Sequence, residues 1–214
     1  MYMNKKLYSI LTLWCLLASP IFFAACSEDD GTVDEYADWQ IKNERYMDSI
    51  AEVAKTEPGW LTLRNYKLPP TELGQPSDDK VSDYVYAKVH TTGDGPVALF
   101  TDSVSVGYEL SLINGKVMQK TWTTDKYEKE YDFPYQTRVN ASGLREGWKI
   151  VLQYMPVGSY WTVYIPYQLG YGEAGNNDIP GYSDLIFDMH LYDVFPLKGI
   201  EGKSADREDD VTVE

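Results

Sequence analysis

The spacing of apolar residues changes character three times along the chain, and each change marks a different kind of segment. From Leu7 to Ala25 the chain is predominantly apolar, with Lys5 and Lys6 before the run and Pro20 inside it. From Asp34 to Lys55 the period is helical. Tyr36, Trp39, Tyr46, Met47, Ile50, Val53 and Ala54 recur at steps of three and four, in one stripe interrupted by Asn43. Gln40, Lys42, Glu44, Arg45, Asp48 and Glu52 fill the other side, and Thr56-Glu-Pro-Gly59 closes the helix. Such a stripe either packs on its own domain or docks a partner or a second copy of the chain, and the sequence leaves both open. Beyond residue 80 the period falls to two. Tyr84-Val-Tyr-Ala-Lys-Val-His90 and Ser103-Val-Ser-Val-Gly-Tyr-Glu-Leu110 alternate as strands do, and Ile113-Asn-Gly-Lys116 is a hairpin signal. Trp161–Ile165 and Leu185–Leu191 read as buried strands, and Gly147–Tyr154 as a short helix with Trp148, Val151, Leu152 and Met155 on one side. The pattern predicts an α+β fold: an antiparallel sheet with one short helix, preceded by a helical extension.

The punctuation between these segments suggests domain limits. Residues 60–80 contain Leu68-Pro-Pro70 and Gly74-Gln-Pro-Ser-Asp-Asp-Lys80, so a boundary is expected there. This divides the chain into a targeting segment (1–25), a tether with the helical extension (26–80), a sheet domain (81–197) and an acidic tail (198–214) expected to be disordered. The first segment reads as a secretory signal. Its end, Phe22-Phe-Ala-Ala-Cys26 followed by Ser27-Glu-Asp-Asp30, resembles a bacterial lipobox. That resemblance implies lipidation of Cys26 and a lipoprotein of the outer membrane, at its periplasmic face or on the cell surface. An N-terminal membrane helix is the alternative, disfavoured by Pro20 and the abrupt acidic boundary.

Charge and composition then exclude chemistry rather than supply it. The chain has 19 basic and 33 acidic residues, a net charge of −14, which argues against a nucleic-acid partner. Loss of Lys5 and Lys6 with the signal takes this to −16. Cys15 leaves with the signal and Cys26 carries lipid, so no disulfide or thiol chemistry is expected. His90 and His190 lie in strand positions whose neighbours point inward, so both are expected to face solvent, and no metal or other cofactor is expected. Gly170-Tyr-Gly172-Glu-Ala-Gly175 matches a dinucleotide fingerprint, but Asn176-Asn-Asp-Ile-Pro-Gly181 follows where a helix would have to open. Gly181-Tyr-Ser183-Asp lacks the second glycine of a nucleophile elbow.

One constellation survives these exclusions. Gly147-Trp148, Met155-Pro-Val-Gly158, Ile165-Pro166, Tyr171-Gly172, Ile179-Pro180 and Leu185-Ile-Phe187-Asp occur in that order. Upstream, Val104-Ser-Val-Gly-Tyr108 precedes Gly115-Lys116 at the matching distance. Over residues 81–195 this resembles the FKBP-type peptidyl-prolyl cis–trans isomerases. The resemblance implies an antiparallel half-barrel sheet wrapped on a short helix, proline-containing polypeptides as substrates, and an apolar aromatic pocket. It places Trp148 at the pocket floor under the proline ring, with Tyr108, Ile179 and Phe187 as walls. Leu144 and Arg145 fall where a pocket wall and a backbone N–H donor lie, and Tyr171 where a hydroxyl bonds a substrate carbonyl.

The sequence also departs from the family. A Phe-Asp pair typically follows the hairpin, the phenyl ring walling the pocket and the carboxylate polarising it. Met118 and Gln119 stand in those positions, and Gln119 cannot reproduce the carboxylate. The segment from Thr121 to Val139 is longer and more charged than the family pattern, and either Phe133 or Tyr135 could supply its pocket aromatic. The reaction itself needs no nucleophile, acid or metal. Rotation about an X-Pro bond opposes a barrier of about 18–20 kcal/mol from lost resonance, and no bond breaks. The implied function is therefore an isomerase assisting the folding of exported proteins. The alternative is a catalytically weak proline-binding or chaperone module.

Overall fold

The computed structural model describes residues 34–70, 78–122 and 134–197. Cys26, the signal segment, Phe133 and the acidic tail lie outside the described residues. Two compact units span residues 1–37 and 38–214, and of the former only Asp34–Ala37 is described, as a turn closed by the Ala37 N–H on the Asp34 carbonyl at 3.1 Å.

In residues 38–214 the elements follow in the order α1 (Trp39–Thr56), β1 (Trp60–Arg64), a 3₁₀ turn (Val81–Asp83), β2 (Tyr84–Thr91), β3 (Ser103–Ser111), β4 (Val117–Lys120) and β5 (Tyr135–Arg138). Next come α2 (Glu146–Leu152), β6 (Tyr160–Ile165), a second 3₁₀ turn (Tyr167–Leu169) and β7 (Leu185–Phe195). The sheet runs β1-β2-β6-β7-β3-β4, every pairing antiparallel. One edge of β3 faces β7 along its whole length. On its other edge β5 pairs Ser103–Val106 and β4 pairs Glu109–Ser111, two short strands end to end. The β3–β4 turn is built on Asn114-Gly115, where Gly115 takes φ 81°, a value that only glycine adopts without cost. This is the antiparallel sheet around a short helix that the sequence implied, an FKBP-like fold.

Strand alternation gives the sheet two faces, and each is covered by a helix. Val163 is registered with Ala87 and with Phe187, and Leu63 with Val85, on the face packed against α2. That helix is buried almost all round, Ile150 included, rather than along the single side expected. Its closest approach is at Gly147, where any Cβ would collide with the buried Ile165 side chain. Tyr86 and Tyr164 are registered with each other on the opposite face. There Met47 and Ala51 of α1 pack against Tyr86, with Ile50, Ala54, Trp60 and Tyr164 around them. Burying Met47 alone favours docking by about 1.5–3 kcal/mol.

Two expectations are corrected here. The helix begins at Trp39 rather than Asp34, and the boundary expected between residues 60 and 80 does not divide the chain. Trp60–Arg64 pairs residue for residue with β2, from Trp60↔Lys88 to Arg64↔Tyr84. The apolar stripe left open to a partner faces the chain's own sheet. No helix among the described residues is long and apolar enough to cross a membrane.

Asn43, the polar break in the stripe, is the clamp that seats α1. Its Nδ2 donates to the Trp39 carbonyl at 2.7 Å, and its Oδ1 accepts the Asp184 N–H at 2.8 Å. Trp39 Nε1 donates to Ser183 Oγ at 2.8 Å, and the Asp184 carboxylate accepts the Tyr167 N–H at 2.9 Å. Burial pushes the Asp184 carboxyl from 3.8 up to about 8; the Tyr167 N–H opposes the shift, and Glu44 and Asp48 add to it. The folded protein thus retains a proton that the unfolded chain releases near pH 4. Stability contributed below that pH is lost as the pH rises through about 8. Asp184→Asn removes the titration while keeping an acceptor for Tyr167. Its melting temperature should match the parent below pH 4 and exceed it by a margin that widens towards pH 8. A margin independent of pH would show that Asp184 does not titrate this way.

Candidate active site

On the inner face, three elements converge on a cavity of about 150 Å³, a volume suited to a small ring rather than a drug-sized ligand. Helix α2 supplies Trp148, β3 supplies Tyr108 and Leu110, and β7 supplies Phe187. Tyr108 and Trp148 meet edge to face at 5.0 Å and 88°, Trp148 and Phe187 at 5.2 Å and 85°, and Tyr108 and Phe187 at 5.8 Å and 64°. Perpendicular rings of this kind contribute about 0.5–1.5 kcal/mol per pair beyond their burial, so the box is preformed. Tyr108 is also tied through its backbone, its N–H on Thr121 Oγ1 and its carbonyl under the Thr121 N–H, both at 2.9 Å.

The mouth is formed by Gln119, Tyr135, Gly143, Leu144, Arg145 and Tyr171. Tyr171 rides on the glycine-rich loop, which folds on itself. The Gly172 N–H donates to the Tyr167 carbonyl, the Tyr182 N–H to the Gly172 carbonyl and the Asn176 N–H to the Ile179 carbonyl, at 2.8, 3.0 and 2.9 Å. Gly172 and Gly175 take φ 69° and 67°, and a Cβ on Gly175 would strike the backbone at Ile179 to Gly181. These glycines serve turns. The Arg145 guanidinium carbon lies 5.0 Å from the Tyr171 ring centroid.

The structure therefore brings Tyr108, Trp148, Tyr171, Phe187, Gln119, Leu144 and Arg145 to one cavity. It does not bring Met118 or Ile179 to the lining. In β4, Gln119 is registered with the pocket residue Leu110, so alternation turns the half-buried Met118 to the other face. Ile179 is buried inside the loop, its N–H on Asn176 Oδ1 at 2.7 Å. Between the two aromatics left open, Tyr135 is the one seen at the pocket, 6.1 Å from Tyr108 and 6.2 Å from Trp148. Leu110 and Gly143 escaped the sequence reading, although Leu110 lies two residues from Tyr108 and so on the same face of the strand.

Residues 97–192 match the family model for FKBP-type peptidyl-prolyl cis-trans isomerase. Over that segment the chain is similar to members of that family. The FKBP-type 22 kDa peptidyl-prolyl cis-trans isomerase of Escherichia coli K12 is 35% identical to the chain over 108 residues, 50% of the chain and 48% of that protein. The Mip isomerase of Coxiella burnetii is 34% identical over 108 residues, 50% of the chain and 43% of that protein. The chain thus spans less than half the length of these relatives. The crystal structure of FkpA from Escherichia coli superposes with a TM-score of 0.55 at 28% identity, over 75% of this chain and 61% of that one.

The aromatic walls of the pocket are uncharged. Burial, with Tyr135 and Tyr171 nearby, pushes the Tyr108 hydroxyl up to about 12, so it stays protonated at physiological pH. The charged group that matters structurally is Glu146, at the start of α2. Its Oε2 accepts from Tyr66 Oη and Lys67 Nζ, both at 2.9 Å, and its Oε1 accepts from Lys149 Nζ at 2.8 Å. Burial raises its pKa, but bonds from Lys149, Lys67 and Tyr66 outweigh that and carry it from 4.5 down to about 2. An acid in the first turn also suits the helix dipole. Glu146 therefore contributes stability above about pH 4.5 that is lost as the pH falls through about 2. Glu146→Gln should cost about 1 kcal/mol at pH 7, a solvent-screened value. In urea titrations its deficit should shrink from pH 4.5 towards pH 2. A deficit that persists at pH 2 would show that the ion pairs are not its source.

Proposed function

We propose that the protein is a peptidyl-prolyl cis-trans isomerase that assists the folding of exported polypeptides. The observation that carries this reading is the box of Tyr108, Trp148 and Phe187, three rings set nearly at right angles around a small cavity. A proline ring held there places its preceding peptide bond at the mouth. The planar amide is more dipolar than the twisted one, so a dry aromatic surround favours the twisted transition state. The Tyr171 hydroxyl at the rim then holds a flanking carbonyl. Trp148 and Phe187 bind and exclude water, and Tyr108 closes the wall as a neutral group.

Gln119 favours a second reading, a proline-binding or chaperone module of low turnover, because an amide polarises the pocket less than a carboxylate. A protease-coupled assay on a proline tetrapeptide separates the two. Under the isomerase reading, Trp148→Leu should lower kcat/KM by an order of magnitude or more. Tyr171→Phe should lower it several-fold, the loss of one hydrogen bond worth about 1 kcal/mol. Peptide binding without acceleration would leave only the module.

The same proposal places the protein in the outer membrane, through lipid on Cys26, at its periplasmic face or on the cell surface. The small residues before Cys26 and the acidic residues after it support this. Cells fed labelled palmitate should label the parent and not Cys26→Ala. Equal labelling would remove the anchor from Cys26.

A further inference from the structure

We propose that the pocket selects prolines flanked by an acidic side chain, because its mouth, among the described residues, carries a half-buried guanidinium and no carboxylate. The inference rests on the isomerase reading above and specifies its substrate class. Among the described residues lining the cavity, Arg145 alone carries a charge, and Gln119 presents an amide where a carboxylate would offset it. Arg145 forms no ion pair among the described residues. The neighbouring Glu146 is engaged by Lys67, Lys149 and Tyr66.

The guanidinium is nevertheless held in place. Nη2 donates to the Gly143 carbonyl at 3.0 Å, and the Tyr171 ring lies beneath the group. A planar cation fixed on an aromatic ring has lost much of its rotamer freedom before a ligand arrives, and its remaining N–H groups suit a carboxylate. It sits beside Tyr171, the residue set to hold a peptide carbonyl, so a side chain flanking the proline is within its reach. The chain's net charge of −14 opposes acidic peptides at long range. At 0.15 M salt the screening length is about 8 Å, so that repulsion fades while a contact pair survives.

Three tetrapeptides differing only in Glu, Gln or Lys test this, with that residue placed immediately before the proline in one set and immediately after it in another. At 0.15 M salt the parent should show a kcat/KM about threefold higher for Glu than for Gln in at least one set, with Lys lowest. Arg145→Gln should bring the Glu-to-Gln ratio to about one. Gln119→Asp, which adds the missing carboxylate, should lower the ratio while leaving Arg145 in place. Equal rates for Glu and Gln in both sets, or a preference that survives Arg145→Gln, would overturn the selectivity. If none of the peptides is isomerised, the isomerase reading falls. The dissociation constants of the same peptides, measured by NMR titration, then decide the selectivity by the same ranking.

Discussion

The pocket depends on how closely α2 can approach β6. Trp148 forms the cavity floor only because the residue before it has no side chain, which lets the helix backbone settle on Ile165. With a methyl group there, α2 would have to move off the sheet and carry Trp148 with it, and a close-packed interior would resist that shift. The rest follows from this contact. Tyr108 and Phe187 sit on adjacent strands and meet the indole at right angles because the helix is held at that depth. Glu146, one residue earlier, fixes the same helix end to Lys67 and Tyr66 near the first strand.

A site built this way works by shape and dryness. The proposed reaction consumes no proton, and the buried hydroxyl in the wall titrates far above physiological pH. What the chain varies is the polar rim. Gln119 brings an amide to it, and Arg145 lies over the rim tyrosine, so the aromatic walls set the shape of the cavity while the mouth sets its electrostatic character. These are separable properties, since the walls come from the core and the rim from two short strands and two loops.

Much of this was legible in the sequence, for identifiable reasons. Strands β6 and β7 were readable because buried and half-buried positions alternate along them, and β3 because apolar residues alternate with small or polar ones in its sequence. Gly147-Trp148, Tyr171-Gly172 and Phe187 were recognisable because their spacing follows from packing that tolerates little change. Strand β1 was not readable, as five residues beside Pro-Pro and a run of turn formers carry too little period to register. Met118 was misplaced because resemblance transfers a position, whereas the pleat decides which side of β4 it faces. Tyr135 could not be separated from Phe133 in a charged segment with no period. Asn43 was visible only as a flaw in an apolar stripe, since its partner, the Asp184 N–H, lies far along the chain.

That flaw has a consequence for the far side of the sheet. Residues along a strand alternate between faces, so sliding β7 by one position would carry Phe187 out of the pocket and put Ile186 or Asp188 in its place. The alternating burial along β7 already disfavours such a slip, and the clamp on Asp184 adds to it. Asn43 discriminates sharply, because one amide N–H, that of Asp184 just ahead of β7, meets its acceptor. A helix that contributes no residue to the cavity therefore helps to fix which side chain of β7 the cavity presents.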